Sequence, residues 1–339
     1  MTAVDETPTT ESPMPPPTRS SPSSSIVLAY APILVAAALL ALVPLRYGDT
    51  GSTMTVATEG MAFAAYAIAF NIIFGSTGQL FLCVGALAGT GGFASAILAD
   101  RAGLPMLGAM VVASLCSAFL GGILSWVSVR RALDTIFIGI VTLAFSLSFQ
   151  NLILGQREWT GGETGIFVEA GKDTILHDRN PSYYVFLGLV VVYLTIFRAL
   201  QRSRTGWAFR ALRDDQLAAE LSGVDVARYR VLAGTVGSAM LGFAGALFAH
   251  SGRGFIGPST FSFGDVDVRV LVMLVFGGLG SLLGPVIGAV SLTVLDEVLI
   301  DYAQLRPIFY GSVIIVFFLG FRRGVVPAVT DLFRRRRRR

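Results

Sequence analysis

The chain has 339 residues, of which 53% are hydrophobic and only 14% charged, with a formal net charge of +4. Soluble globular chains carry about 25% charged residues, so a mean hydropathy of +0.68 over this length excludes a single water-exposed domain, which needs a polar skin. Two cysteines, Cys83 and Cys116, both inside apolar runs, exclude a disulfide framework. Two histidines far apart in sequence, His177 and His250, offer no metal-ligand pattern, so neither metal nor cofactor is expected.

Residues 1–25 are rich in Thr, Ser and Pro and read as a disordered N-terminal tail. They lack the basic n-region, short apolar core and A-x-A site of a signal peptide. Ten apolar segments follow, near 26–45, 56–75, 79–99, 105–129, 133–155, 183–200, 229–250, 267–281, 284–300 and 307–321. Most approach the roughly 20 residues that cross a bilayer as helix. The expectation is therefore an all-α, polytopic membrane protein with about ten transmembrane helices, a membrane domain over 26–323 and a basic cytoplasmic tail over 324–339.

Two junctions are glycine-rich. Gly75-Ser76-Thr77-Gly78 separates the second and third segments, and Gly277-Gly278-Leu279-Gly280-Ser281 separates the eighth and ninth. Each is either a tight turn or a break within the membrane, which is tolerated only where protein surrounds it.

Charge tests the parity. With the N-terminus cytoplasmic, ten crossings place Arg130 and Arg131, the cluster Arg198 to Arg230 and the tail Arg334 to Arg339 inside. Arg46, Arg101, Arg157, Lys172, Arg179, Arg253, Arg269 and Arg306 fall outside. This orientation obeys the positive-inside rule and the reverse violates it. The Arg tail then reads as an orientation signal and a contact for anionic membrane lipid, and no nucleic-acid partner is expected.

Small residues recur within segments. Gly234, Gly237, Gly242 and Gly245 share one, and Gly277, Gly280, Gly284 and Gly288 another, which lets helix backbones approach closely. Arg131 and Asp134 flank a helix entry, where they pair or cap. The polar residues within apolar runs, Asn71, Gln79, Thr142, Gln150 and Asn151, either line a pathway or bond neighbouring helices. No apolar run carries a dense set of ionisable groups. That argues against coupling to an ion gradient, which uses carboxylates or histidines near the midplane.

The most informative polar segment runs from Ser203 to Arg230. From Gly206 onward it reads as one short amphipathic helix. Ala211, Leu212, Leu217, Ala218 and Leu221 form an apolar face, Arg210, Arg213, Asp214, Asp215 and Glu220 a charged one, and Gly223 a C-terminal stop. Such a helix lies on lipid, docks into a groove on a partner protein or serves as a solvated connector. The external loop 156–182, with Glu158, Glu163, Glu169, Lys172 and Asp173, reads as a lid or a second docking element.

This segment resembles the cytoplasmic coupling loop of ABC importer permeases, with Ala218, Ala219, Glu220 and Gly223 at the family's landmark positions. More of the chain resembles the permease of branched-chain amino acid importers, the M-type subunit. The resemblance is carried by Asn71 to Leu80 (NIIFGSTGQL), Thr142 to Phe145, Thr160-Gly161-Gly162 with Gly165-Ile166, and Gly223 to Tyr229. It continues through Ala244 to Leu247, Phe261-Ser262-Phe263, Gly277 to Ser281 with Gly284-Pro285, and Arg306 to Gly324. Together these span about residues 60–325.

The resemblance implies a bacterial inner-membrane subunit with both termini cytoplasmic. It implies two ATP-binding subunits, a second permease subunit and an extracytoplasmic substrate-binding protein as partners. It places coupling to the ATPase in 201–228, through Arg210, Arg213, Asp214, Asp215, Ala218, Ala219, Glu220 and Gly223. The chain contains no G-x-x-x-x-G-K-[ST] phosphate loop, so it is expected not to be an enzyme. Where the family continues with Ser and a Gly-His pair, this chain reads Phe81-Leu82-Cys83-Val84-Gly85. That departure leaves branched-chain amino acids as the favoured solute, with urea or short amides as alternatives. An ion-coupled secondary transporter and a membrane-embedded enzyme are the rival functions.

Overall fold

The computed structural model describes residues 22–47, 51–168, 178–251 and 254–298, together with positions 176, 308, 311 and 312. The basic tail, nearly all of segment 307–321, His177, and Glu169, Lys172 and Asp173 of the external loop lie outside the described residues.

The architecture is all-α apart from one two-residue strand pair. Helix α1 (Pro22–Ala41) begins inside the stretch read as tail, with Pro22 in the first turn, where a missing N–H costs nothing. Then come α2 (Gly51–Phe70), α3 (Val84–Ala102), α4 (Met106–Arg130), α5 (Thr135–Gly155) and α6 (Arg179–Arg202). The polar segment forms α7 (Arg204–Asp214) and α8 (Gln216–Leu221). Helices α9 (Val226–Ala249), α10 (Val268–Gly277) and α11 (Gly284–Val298) complete the order.

Five stretches among the described residues are long and apolar enough to cross a membrane: Thr53–Gly75, Met106–Arg130, Thr135–Gly155, Asn180–Arg202 and Val226–Ala249. At 1.5 Å per residue, the ten residues of α10 reach only about 15 Å, half of a hydrocarbon core.

Helix α2 occupies the centre. Its residues Met61 to Phe70 are buried all round, as expected of a helix with no polar face. Helix α9 packs against α3 and α4 through small residues. A methyl group on Gly91 would land on the Gly242 backbone, and one on Gly245 on the Ala88 backbone. Gly121 and Gly234 receive the Ser238 and Ser125 side chains. Without a hydrophobic drive between helices in lipid, this close approach supplies the van der Waals contact that holds them. By contrast, α4 and α5 each present an uncovered apolar stripe: Leu107, Val111, Leu115 and Phe119 on one, Ile136, Phe137, Ile140 and Leu152 on the other. Cys116, expected to be buried, lies exposed on α4, where lipid accepts it as readily as a core would.

The two ends of the bundle differ. At one end, here the hairpin end, β1 (Ile166–Phe167) pairs antiparallel with β2 (Phe255–Ile256). There the Arg101 guanidinium lies 4.7 Å from the centre of the Trp159 ring and bonds the Glu158 carbonyl. At the other end, the hinge end, the second glycine-rich junction meets α7 at Arg213 and the first meets the start of α9 at Arg230.

Replacing Gly91 with Ala should drive α3 away from α9, at about 1–3 kcal/mol of overpacking. The expected result is a lower Tm of the purified protein, whereas Gly188→Ala, with open space around the site, should leave Tm unchanged.

Candidate functional site

The first glycine junction is a broken helix, not a tight turn. After α2 the backbone widens into a π-type turn over Asn71–Gly75. It then runs without helix through residues 78–83 before α3 starts. Gly78 takes φ +73°, a conformation that favours glycine. This irregular backbone is buried: Gln79, Phe81 and Cys83 are fully covered. Its polar groups must therefore find partners within the protein.

Side chains from three other helices supply them. The Thr142 hydroxyl accepts the Leu82 N–H at 2.9 Å while donating to the Ile138 carbonyl at 2.8 Å. Thr135 donates to the Gly78 carbonyl at 3.2 Å. The Gln79 amide donates to the Arg230 carbonyl at 2.9 Å and accepts from the Ser125 hydroxyl at 3.0 Å. At the start of α3, the Asp267 carboxylate accepts the Gly85 N–H at 3.0 Å and the Ser146 hydroxyl at 2.9 Å. Asp267 is 1% exposed and closes a second π-type turn, Phe263–Asp267. Such turns often mark functional positions in helices.

The second junction repeats the first. Phe74-Gly75-Ser76-Thr77-Gly78-Gln79-Leu80 and Phe276-Gly277-Gly278-Leu279-Gly280-Ser281-Leu282 share the pattern F-G-x-x-G-x-L. The second glycine of each is left-handed, Gly78 at φ +73° and Gly280 at +70°. Asn71 ties the two together: its Nδ2 donates to the Ser281 carbonyl at 2.9 Å, and its Oδ1 accepts the Gly280 N–H at 2.7 Å.

Charges expected to be scarce are gathered by the fold. Arg269, assigned above to an external segment, instead sits in α10. Its Nη1 lies 3.6 Å from the Glu59 carboxylate of α2, and its Nη2 bonds Asp296 of α11. Its guanidinium stands 4.6 Å from the centre of the Phe63 ring. Each apolar run contributes a single charge, so no one window reveals the triad.

The polar segment is two helices rather than one. Asp215, at φ −158°, is extended and breaks the run. Its carboxylate accepts the Ala218 N–H at 3.1 Å, capping α8. Gly223, at φ +82°, ends α8 with the Val224 N–H bonded to the Ala219 carbonyl. Leu212, Ala219 and Val226 pack into a small cluster under the pair. Leu217 and Leu221, read as part of that face, point outward at 67% and 82% exposure, as does Trp207 at 72%. Arg210 stacks 4.8 Å from the Trp207 ring centre.

Residues 52–320 match the family model described as branched-chain amino acid transport system / permease component. The chain belongs to this family. It is a permease component of the ABC transporter class, a membrane transport subunit and not an enzyme. The LivM proteins of Escherichia coli (strain K12) and Salmonella typhimurium, high-affinity branched-chain amino acid transport system permeases, are each 30% identical over 301 residues. The alignment covers 81% of this chain and 70% of theirs. The LsrC protein of Enterobacter sp. (strain 638), an autoinducer 2 import system permease, is 28% identical over 282 residues, 78% of this chain and 77% of its own. No solved structure matches the chain.

In this permease the polar residues singled out from sequence separate into two groups. Asn71, Gln79 and Thr142 are fully buried and hold the broken backbone. Gln150 and Asn151 stand apart near the C-terminal end of α5, and Asn151 bonds the Leu147 carbonyl of its own helix at 2.9 Å. Asp134 takes the position before α5 without a side-chain cap bond. Sequence reading missed Asp267, Ser146 and Ser125, single polar residues within apolar runs. The recurrence of F-G-x-x-G-x-L was the available signal for the paired junctions.

Asp267→Ala should leave the Gly85 N–H and the Ser146 hydroxyl buried without their shared acceptor, a loss of about 1–3 kcal/mol for an orphaned buried group. Thermal unfolding in detergent should fall for Asp267→Ala and fall less for Asp267→Asn, which keeps one acceptor oxygen.

Proposed function

We propose that this chain is the membrane-spanning permease subunit of an ATP-driven importer, moving branched-chain or similar amino acids handed over by a soluble binding protein. On this reading the chain crosses the membrane ten times in the bacterial inner membrane, with both termini and the hinge end cytoplasmic. Two ATP-binding subunits dock on α7 and α8, and a second permease covers part of the uncovered apolar surface. The binding protein seats on the hairpin end, around Trp159 and the paired Phe167 and Phe255.

The observation that carries the reading is the helix pair α7–α8. A solvated connector has no reason to turn Trp207, Leu217 and Leu221 outward. A surface that docks on a partner does, because such aromatic and aliphatic anchors fill its pockets. The pair is held rigid from beneath by the Leu212, Ala219 and Val226 cluster, so a push on it reaches the membrane helices. Arg210, Asp214 and Glu220 surround the apolar anchors, exposed, and supply a polar rim, while Arg213 lays its guanidinium against Gly280. Asp215 is committed to capping α8, so its removal unfolds the docking helix rather than testing charge.

Branched-chain amino acids are favoured by the LivM relatives, and the departure from the family's pattern at Phe81-Leu82-Cys83 leaves room for a different ligand. The autoinducer 2 import relatives keep a solute of another class as the alternative.

Leucine uptake into proteoliposomes containing this chain, its second permease and the ATPases should be vanadate-sensitive and should require the binding protein. Uptake by this chain alone under a proton gradient would instead establish a secondary carrier. The double substitution Leu217→Asp with Leu221→Asp should cost at least tenfold in ATPase retention on the purified permease, leaving membrane insertion intact. Labelling of a cysteine at position 217 by an impermeant reagent from outside intact cells would refute the orientation.

A further inference from the structure

The two helix breaks are joined to each other and to α7 by named side chains. We infer that Asn71 is a positioning residue that makes both breaks move as one unit, and that Arg213 and Gln201 transmit displacement of α7 to that unit. The inference rests on the proposed docking of an ATPase on α7–α8.

The chain of contact is continuous. The Arg213 guanidinium lies against the backbone of Gly280, where a methyl group would have no room. The Gln201 amide, from the end of α6, donates to the Gly280 carbonyl at 3.2 Å. Arg210 donates to the Gln201 carbonyl at 3.0 Å, binding α7 to the same corner. Gly280 passes its own N–H to Asn71 at 2.7 Å, and Asn71 returns a bond to the Ser281 carbonyl. The Asn71 side chain also fills the space beside Gly75, where a methyl group would strike it. From Asn71 the chain runs through the unwound residues 78–83 to Gly85, anchored on Asp267 and Ser146 at the start of α3.

The mechanics follow from which parts are stiff. Helices α2, α10 and α11 cannot bend without breaking their own ladders. The glycines at Gly78, Gly278 and Gly280, all at positive φ, rotate with little steric penalty. Movement of the hinge end is thus taken up at the two junctions. An amide that donates to one backbone and accepts from it in the same plane resists sliding in both senses. Asn71 is fully buried, so separating the junctions would strand a donor and an acceptor away from water. The junctions therefore shift together. Helix α3, whose start hangs from the first junction, shifts with them.

The test uses the assembled importer, both permeases with ATPases, in proteoliposomes with the binding protein and leucine. It measures solute moved per ATP hydrolysed, and ATPase retention in parallel. Asn71→Ala and Arg213→Ala should keep the ATPases bound and hydrolysing, yet lower solute per ATP at least tenfold. The double variant should be no worse than the poorer single one, because both cut the same line; a double-mutant cycle is the measurement that separates coupling from coincidence. Asn71→Asp, which keeps the acceptor for Gly280 and loses the donor to Ser281, should fall between wild type and Asn71→Ala. If Asn71→Ala fails to accumulate, Asn71→Asp and Gln201→Ala carry the same comparison.

Solute per ATP within twofold of wild type, or losses that multiply in the double variant, would overturn the inference. Failure of the docking reading is seen separately, as full ATPase retention by the Leu217→Asp, Leu221→Asp variant.

Discussion

Every backbone N–H and C=O inside a bilayer must be satisfied by the protein itself, since lipid offers no partner and each orphan costs several kcal/mol. This permease nonetheless interrupts its helices at the start of α3, before α10 and before α11. The interruptions persist because individual side chains take over what the helical ladder gave up. Thr142 serves Leu82, Asp267 serves Gly85 and Asn71 serves Gly280. Each lies on a different element from the backbone it serves, so local disorder is converted into tertiary fixation. The price of an irregular backbone is thereby met by long-range bonds, which make the breaks obligatory meeting points of the fold.

The same logic explains where the small residues lie. For α4 and α5 to reach the unwound segment with hydroxyls as short as those of Ser125, Thr142 and Ser146, neighbouring helices must pack close. Glycines at 91, 121, 234, 242 and 245 permit that approach among α3, α4 and α9, and Gly89 and Gly139 permit it for α5. Larger side chains there would move the hydroxyls out of bonding range, because a helix displaced by the width of a methyl group shifts every donor on it. Packing and polar satisfaction are one constraint in this molecule rather than two. The Arg269, Glu59 and Asp296 triad adds a third kind of tie, drawing α10 to α2 and α11. An isolated guanidinium would be costly at that depth, and two carboxylates with a facing aromatic ring compensate it.

How much of this could be read from residues alone varies with the length scale of the cause. Apolar runs are local, and they located the segments from 26–45 to 284–300 within several residues. The cap at Gly223 is local too, and it ends α8 as its φ requires. The split at Asp215 was hidden because an aspartate after Asp214 reads as one more charge on an amphipathic face, while its capping role appears only when the backbone is extended. Leu217 and Leu221 were grouped with Leu212 by helical spacing, and that spacing lost its meaning once the run broke. Charge parity treats every arginine near a segment boundary as solvated, whereas the Arg269 guanidinium is largely enclosed by its two carboxylate partners. Its partners lie about 210 and 27 positions away, beyond any local window. Asp267 carried no pattern at all: one acidic residue at an apolar boundary looks like a helix start.

The paired F-G-x-x-G-x-L breaks give the subunit a division between what moves and what does not. Full-length helices such as α4 and α9, locked through glycine contacts, have no soft point along their length. The elements α3, α10 and α11, of 19, 10 and 15 residues, each adjoin a break that side chains hold in place but glycines leave free to rotate. A transport cycle needs a part that keeps its shape and a part that reorients. In this chain the second class is the set of elements touching Asn71, Asp267 and Arg213. The two hinge-end junctions fall on the same face as the outward-turned Leu217 and Leu221, so force applied there meets glycine backbone before it meets a rigid helix. Exchanging the positions of the soft and stiff elements would leave the helix count and the hydropathy unchanged and would remove the lever. The placement of those few glycines and amides, rather than the number of crossings, is what suits this helical array to work.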